Sequence, residues 1–361
     1  MQTERFRYHF EPKRGWMNDP NGLIFYKGEY HAFFQYNPHA AHWGQMHWGH
    51  AVSRDLIHWE EYPIALYPDE PYEDAGGCFS GSAVEKDGKM YLFYTSVSKE
   101  YGQTQSVAIS EDGVNFVKYK GNPIIRKNPL GHDNFRDPKV TKIGGTYYMV
   151  VGSGDREWGQ VLLFSSSDLL HWEYKTVLFG GKEYADCIEC PDFFRLGDKY
   201  VLMFSKIKEK FKATYFVVGD FVENKLVNYT IQNPERGYDF YAPQTFEADG
   251  RRIMIGWMYH WGKVARPGAA FAGALSIPRE LSLENGRILN YPVREAQHLM
   301  DKCSDYVIWK GDTLDLRDGL RRWLTVRSKD IRSVDILEDT KSVEVFLNGG
   351  KQSYTYWKRG K

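Results

Sequence analysis

Apolar residues along the first 290 positions fall into short runs broken by turn residues, and one such unit recurs five times. Each unit is a short apolar or alternating run, a turn that ends in glycine, and a second run rich in aromatic and aliphatic residues. Runs of this length with glycine turns between them are typical of β-hairpins. The turn glycines are Gly28, Gly88, Gly145, Gly197 and Gly250.

The spacing of these turns leaves each repeat enough residues for about four strands, which is one blade of a propeller. A second phrase marks three of the repeats: Ser-Arg-Asp-Leu-Ile-His-Trp at 53–59, Ser-Glu-Asp-Gly-Val-Asn-Phe at 110–116 and Ser-Asp-Leu-Leu-His-Trp at 167–172. The sequence therefore predicts an all-β fold with a five-bladed β-propeller over residues 1–292. An irregular β-sandwich is the alternative, and five ordered copies argue against it.

The pattern changes after Pro292. Residues 293–300 predict a short helix or linker, and we place the linker at 293–303. The rest predicts a small antiparallel module, a shortened β-sandwich over 304–361, which leans on the propeller to complete its core. Asn348-Gly349-Gly350 is a strong hairpin signal between its last two strands. The strand-like runs are 322–327, 333–337, 343–347 and 353–357.

Composition limits the partners and the location. The 361 residues include 47 Lys and Arg against 47 Asp and Glu, so the chain has no net charge. It lacks the basic surface that nucleic acid or anionic lipid requires. There is no apolar run of 18 residues, no apolar core of a secretory signal, and too few cysteines (four) for a disulfide framework. We expect a cytoplasmic protein without nucleic-acid or membrane partners, and the oligomeric state stays open.

A carboxylate or polar residue next to proline or glycine recurs at one phase, just before the first strand of several repeats. Equivalent positions in a propeller are related by rotation about its axis, so these segments would face one end of the central channel. Clustered carboxylates must pair or share protons, which makes them candidates for acid–base chemistry. The alternative is that Asp-Pro and Asp-Gly only mark turns. The acids in question are Asp19, Asp137, Glu189 and Asp239.

Three motifs at these positions resemble glycoside hydrolase family 32, which comprises invertases, sucrose-6-phosphate hydrolases and fructanases. The motifs are Trp16-Met-Asn-Asp-Pro-Asn-Gly22, Arg136-Asp-Pro138 and Glu189-Cys-Pro191. Three signatures in order, and in register with the repeats, are far more specific than a lone Asp-Pro. The resemblance covers residues 6–297 and implies a five-bladed propeller followed by a β-sandwich, of which this tail would keep only the later strands.

The resemblance implies a retaining, exo-acting β-fructofuranosidase that takes a small sugar and needs no cofactor. Asp19 would attack the anomeric carbon of a terminal fructofuranosyl unit. Glu189 would act as general acid and then as base, and Asp137 would bind fructose hydroxyls in the transition state. Arg136 would pair with a carboxylate or a substrate hydroxyl, and Cys190 would be a neighbour that tunes Glu189. The other pocket candidates, aromatic walls first and hydroxyl contacts after them, are Trp16, Trp43, Phe79, Trp261, Asn18, Gln35, Ser80, Asp239 and Tyr241.

The protonation states required of the acids add two expectations. Asp19 must stay ionised, so we expect donors such as Asn18 and Asn21 beside it. Glu189 must carry a proton near neutral pH, which requires apolar surroundings or nearby negative charge from the other two acids.

Alternatives remain for the reaction and the substrate. The same site would serve a fructosyltransferase or a hydrolase specific for a difructose such as inulobiose, and a catalytically silent sugar-binding propeller is a third hypothesis. No cluster of basic residues indicates a phosphate site. The candidate substrates therefore include sucrose, sucrose 6-phosphate and short fructooligosaccharides. We expect no metal site. Cys187-x-x-Cys190 has no second cysteine pair to complete a zinc site, and the four histidines that lie close together in the sequence fall in a Gly- and Trp-rich stretch. These histidines are His39, His42, His47 and His50.

Overall fold

The computed structural model describes residues 5–184, 186–208, 211–258, 261, 265 and 268–358. Within these residues, regular structure consists of 27 β-strands and three short 3₁₀ helices. No helix in this part of the chain has the length and apolar character needed to cross a bilayer. The 3₁₀ helices are Pro71–Glu73, Lys182–Tyr184 and Arg294–Leu299.

Five four-stranded antiparallel blades follow one another along the chain, in the order of the predicted repeats. From the innermost strand outward, the first blade consists of β1 (Gly15–Tyr26), β2 (Glu29–Asn37), β3 (His47–Ser53) and β4 (Trp59–Leu66), and the second of β5 (Gly77–Lys86), β6 (Lys89–Ser98), β7 (Gly102–Ser110) and β8 (Val117–Lys118). The third blade consists of β9 (Asn134–Ile143), β10 (Thr146–Gly154), β11 (Gly159–Ser166) and β12 (Glu173–Gly181), and the fourth of β13 (Ile188–Leu196), β14 (Lys199–Lys208), β15 (Phe211–Val222) and β16 (Lys225–Gln232). The fifth blade consists of β17 (Tyr241–Ala248), β18 (Arg251–Trp257), β20 (Arg279–Glu284) and β21 (Arg287–Pro292). Each innermost strand contacts the next, and β17 contacts β1, which confirms the five-bladed propeller. A short strand between β18 and β20 in the chain, β19 (Phe271–Ala272), pairs in parallel with β1 and so joins the last blade to the first.

The turns between the first two strands of the blades are tight hairpin turns. Asp87 and Gly88 in the second blade have φ of 53° and 75°, and Asp249 and Gly250 in the fifth have φ of 51° and 72°. Two consecutive positive φ values give a turn whose twist matches that of the strands, and Asp-Gly favours it. The predicted hairpins are confirmed at these positions.

The repeated Ser-x-Asp phrase forms one polar turn between the third and fourth strands of the first three blades. In the first blade, Asp55 Oδ1 accepts two backbone N–H groups at 2.9 and 2.7 Å and the Ser53 hydroxyl at 3.1 Å. Side chains of this kind replace missing backbone partners in a turn. In the third blade the equivalent serine is Ser166, which donates to Asp168 at 3.1 Å, and not the expected Ser167.

Every innermost strand carries a β-bulge at the same level. The motifs predicted to precede these strands lie inside them, so that part of the prediction is wrong. A bulged residue needs no partner in the ladder, and proline is therefore tolerated within the strand at this point. The bulged residues are Asn18 and Asp19, Ser80, Asp137 and Pro138, Cys190 and Pro191, and Ala242 and Pro243.

Two three-stranded sheets follow the last 3₁₀ helix. They are β22 (Val307–Lys310), β23 (Thr313–Asp318) and β24 (Arg321–Arg327), and β25 (Val334–Glu338), β26 (Ser342–Leu347) and β27 (Gln352–Trp357). Leu314 and Leu316 of the first sheet share an apolar core with Ile336 and Val345 of the second, which confirms a small β-sandwich. Leu337 instead packs into the apolar core of the propeller, so the module does lean on it.

Buried charges join this module to the propeller. Arg279 of β20 donates to the carboxylates of Glu235 and Glu344. His9 bonds to Asp339 Oδ2 and Glu344 Oε1, each at 2.7 Å, and all three side chains are buried. Burial disfavours a charged imidazole, but the hydrogen bonds and charges of these two acids outweigh it and raise the pKa of His9 to about 9. The interface therefore depends on a protonated His9.

The raised pKa of His9 predicts a loss of stability at alkaline pH. A group whose pKa is higher in the folded state stabilises the fold below its unfolded pKa, and this stabilisation is lost as pH rises through the folded pKa. The pKa of His9 rises from 6.5 to about 9 on folding. At about 1.4 kcal/mol per pKa unit, the free energy of unfolding should fall by about 3 kcal/mol across this range in the wild type, and not in His9→Gln.

Urea unfolding followed by tryptophan fluorescence across this pH range measures the effect. His171→Gln is the matched control, because His171 is an exposed imidazole of a surface turn. It should keep the wild-type pH dependence. Equal pH dependence in the wild type and His9→Gln would show that this imidazole does not hold the interface.

Candidate active site

Three acids from three bulged strands meet around one cysteine. Cys190 Sγ lies 3.6 Å from Asp19 Oδ2 and 3.5 Å from Asp137 Oδ2. The backbone N–H of Cys190 also donates to Asp137 Oδ2 at 2.8 Å, and Glu189 precedes Cys190 in the chain. Blades one, three and four thus place Asp19, Asp137 and Glu189 in one site, although more than fifty residues separate each from the next.

Asp19 is partly buried, and hydrogen bonds hold its carboxylate. Its Oδ2 accepts the Ser80 hydroxyl at 2.7 Å. Burial raises the pKa of Asp19, hydrogen bonds from Ser80 and Asn18 lower it, and the charge of Glu189 raises it again. Asn18 itself accepts the indole N–H of Trp16 at 2.8 Å, which fixes its amide. The amide of Asn21, also expected beside Asp19, instead donates to the carbonyl of Pro20 and accepts from the backbone and side-chain N–H groups of Gln35 in its best-satisfied orientation.

Asp137 combines a strained backbone with a buried carboxyl group. Its φ is 65°, in the left-handed region that residues other than glycine rarely adopt. Burial raises the pKa of Asp137 to about 7; Arg136 opposes this rise, and the charges of Glu189 and Asp19 add to it. The charge of Asp137 is therefore sensitive to pH near neutrality.

Glu189 is held by two donors on opposite oxygens. Arg136 Nη2 donates to Oε1 at 2.7 Å, and the Tyr241 hydroxyl donates to Oε2. Burial and the charge of Glu189 raise the pKa of Tyr241 well above its ordinary value, so this hydroxyl keeps its proton. Arg136 is oriented in turn by Asn134 Oδ1 at 2.6 Å.

Cys190 stays a thiol in this setting, because burial and the neighbouring acids raise its pKa well above the ordinary value. Its side chain faces Asp19 and Asp137, whereas the sequence prediction made it a neighbour that tunes Glu189.

Aromatic rings gather beside the acids, as two groups. Trp16 stacks on Trp261 with ring centroids 5.8 Å apart, and Trp257 contacts both rings at 5.7 and 5.1 Å. Trp43 packs edge-on against Phe79 at 6.1 Å. Sequence reasoning missed Trp257; the signal was the aromatic residue that ends the apolar run of the fifth repeat.

Two predicted contact residues bond to backbone groups in the structure. Gln35 Nε2 donates to the carbonyl of Cys78 at 2.8 Å. Asp239 Oδ2 accepts the backbone N–H of Trp357 at 2.7 Å, so this acid ties the fifth blade to the last strand of the β-sandwich.

The four histidines singled out by the sequence have separate partners. His50 bonds to His31 at 2.9 Å, His42 to the carbonyl of Trp43 at 2.9 Å, and His47 to the carbonyl of Gln45 at 3.3 Å. His39 contacts the ring of His47. Among the described residues, no three His, Cys, Asp or Glu side chains are grouped as metal ligands.

Comparison with known proteins places this geometry in a family. The glycosyl hydrolases family 32 N-terminal domain matches residues 9–292. A sucrose-6-phosphate hydrolase of Escherichia coli is 42% identical over 317 residues, which is 81% of this chain and 65% of the relative. A raffinose invertase of Escherichia coli is 40% identical over 324 residues, which is 82% of this chain and 66% of the relative. The chain thus spans slightly less than two thirds of the length of these curated relatives.

A solved structure agrees over the whole chain. A family 32 β-fructofuranosidase from Bombyx mori, a mutant in complex with sucrose, has a TM-score of 0.89 and 30% identity. The match covers 99% of this chain and 89% of that one. With the family domain matched over most of its length and three motif acids meeting at one bulge level, this chain belongs to glycoside hydrolase family 32.

Proposed function

We propose that this chain is a retaining, exo-acting β-fructofuranosidase that releases a terminal fructose from a small sugar. The observation that carries the proposal is the contact of Asp19 and Asp137 through Cys190, with Glu189 next to it and held by separate donors. Retaining glycosidases need two carboxyl groups in different roles, one nucleophile and one acid–base. The names of the relatives, a sucrose-6-phosphate hydrolase and a raffinose invertase, support the same chemistry.

In the first proposed step, Asp19 attacks the anomeric carbon of the fructofuranosyl unit. Oδ2 of this carboxylate accepts the Ser80 hydroxyl, which orients the group for attack. The new C–O bond replaces the glycosidic bond, and the leaving oxygen takes a proton from Glu189.

In the second step, the ionised Glu189 takes a proton from water, and the resulting hydroxyl attacks the same carbon. The bond to Asp19 breaks and its carboxylate is restored. Two inversions leave the configuration of the fructose unchanged. Asp137 accepts hydrogen bonds from fructose hydroxyls while positive charge develops in the ring, and Trp16, Trp43, Phe79 and Trp261 form the walls of the sugar pocket.

The proposed substrates are sucrose, sucrose 6-phosphate and short fructooligosaccharides. An assay of kcat/KM on sucrose, sucrose 6-phosphate, inulobiose, levanbiose and kestose ranks them, and product analysis at high sucrose separates hydrolysis from fructosyl transfer. We expect the highest value on sucrose or its 6-phosphate. Sucrose binding in a calorimeter without release of fructose from any of the five would support a silent sugar-binding propeller instead.

We also propose that the protein works in the cytoplasm. All four cysteines are free, and three of them are buried, which suits a reducing compartment. Cell fractionation followed by immunodetection tests this, and recovery of the protein outside the cytoplasm would contradict it.

Asp19→Ala should abolish hydrolysis without unfolding the protein. It removes the proposed nucleophile, so kcat/KM on sucrose should fall by at least about 1,000-fold. Because burial already disfavours the charge of Asp19, its removal should leave the thermal unfolding temperature unchanged or higher. Turnover close to that of the wild type would disprove the assignment, and sucrose binding by calorimetry checks that the pocket is intact.

Ser80→Ala should shift the pH dependence of catalysis. The Ser80 hydroxyl lowers the pKa of Asp19, so its loss raises that pKa and moves the acidic limb of the kcat/KM profile to higher pH. We expect a shift of about one pH unit, the size of a lost hydrogen bond to a charged group. Ser96→Ala is the matched control, because buried Ser96 bonds only to Thr104 and Ser106 among the contacts described. An acidic limb that stays in place in Ser80→Ala would contradict the role of Asp19.

A further inference from the structure

Three side chains of the second blade hold the backbone on either side of Arg136. The hydroxyl of Thr95 on β6 accepts the N–H of Asp137 at 2.9 Å. On β7, Gln105 Nε2 donates to the carbonyl of Phe135 at 2.7 Å, and Gln103 Oε1 accepts the N–H of Phe135 at 2.7 Å. We call Thr95, Gln103 and Gln105 the blade-2 clamp.

The donors and acceptors of this clamp can be arranged in one way only. Thr95 and Gln105 face each other across the two strands, and the Thr95 hydroxyl donates to Gln105 Oε1 at 2.8 Å. Because the hydroxyl proton is already donated to Gln105, the Thr95 oxygen can only accept the N–H of Asp137. Both side chains are fully buried, so water does not replace either contact. Thr95 and Gln105 thus link the second blade to the backbone of the third by hydrogen bonds of fixed direction.

The clamp acts where the backbone is strained. Asp137 has a φ of 65°, which a residue with a side chain keeps only when its surroundings hold it there. A relaxed backbone at this point would re-aim the carboxyl group. Asp137 Oδ2 also accepts the N–H of Cys190, whose φ is 47°. The position of Asp137 therefore also affects the backbone of the residue that follows Glu189.

We infer that Thr95 and Gln105 are positioning residues for catalysis, which keep Asp137, and through it the backbone beside Glu189, in the geometry of the reaction. This inference rests on the proposed function, because it assigns Asp137 a part in the transition state. Both side chains are fully buried, which keeps them out of reach of a substrate. Their loss should therefore lower kcat far more than it raises KM.

Steady-state kinetics on sucrose test the inference with a graded set of variants. Thr95→Val keeps the shape of the side chain and removes the hydroxyl, so kcat should fall roughly 10- to 100-fold while KM changes less than about threefold. Thr95→Ser restores the hydroxyl and should return kcat to within about threefold of the wild type. Gln105→Met should match Thr95→Val, and the double variant should lose little more than either single variant, because the two act as one unit.

Thr104→Val is the matched structural control. Thr104 is as buried as Thr95, lies next to Gln105 on the same strand, and bonds to Ser96 instead of the third blade. It should lower the thermal unfolding temperature as much as Thr95→Val does and leave kcat unchanged. If both variants lose kcat equally, or if Thr95→Val keeps it, the clamp has only a structural role and the inference is wrong.

A crystal structure of Thr95→Val separates this inference from the proposed function. We expect the φ of Asp137 to relax and its carboxyl group to leave the N–H of Cys190. An unmoved Asp137 overturns the clamp whether or not the wild type is active. A wild type that releases no fructose overturns the proposed function, and the crystal structure still decides whether the clamp places Asp137. Should Thr95→Val fail to fold, Gln105→Met takes its place in both experiments.

Discussion

The β-bulge in each innermost strand is the constraint on which the site depends. A regular strand would alternate its side chains between two neighbouring blades, whereas a bulge sets two residues against one and re-aims them. Asp137, Cys190 and Ala242 take positive φ values of 65°, 47° and 47° at these points. Regular ladders on either side hold that strain in place. Five-fold repetition then brings bulged residues of different blades to one level of the channel.

The same arrangement gives chemically similar acids different surroundings. Ser80 and Cys190 occupy one oxygen of Asp19, Arg136 and Tyr241 hold Glu189, and a backbone amide holds Asp137. Burial raises the pKa of both aspartates, and donors moderate the rise for Asp19. Environments that differ in this way are how a protein assigns separate acid, base and nucleophile roles to carboxyl groups.

The blades and the three acids could be predicted from sequence, because turn residues, aromatic runs and motifs all recur at one spacing. The bulges could not be predicted, because the alternation of apolar and polar residues does not show where two residues of one strand lie opposite one residue of the next. Thr95 and Gln105 look like ordinary strand residues until the next blade is in place. Asp239 shares the phase of the other acids, yet its partner Trp357 comes from a module whose docking no local pattern specifies. The strands β22 and β23 escaped prediction because they are only four and six residues long.

The anomer of fructose released first is the most direct test of the account. Sucrose labelled with ¹³C at the anomeric carbon of fructose, hydrolysed by the wild type and followed by NMR within the first seconds to minutes, shows this product before it equilibrates. Displacement by Asp19 and then by water predicts β-fructofuranose as the first signal. An initial signal from α-fructofuranose would mean a single displacement by water, and would contradict a covalent intermediate on Asp19.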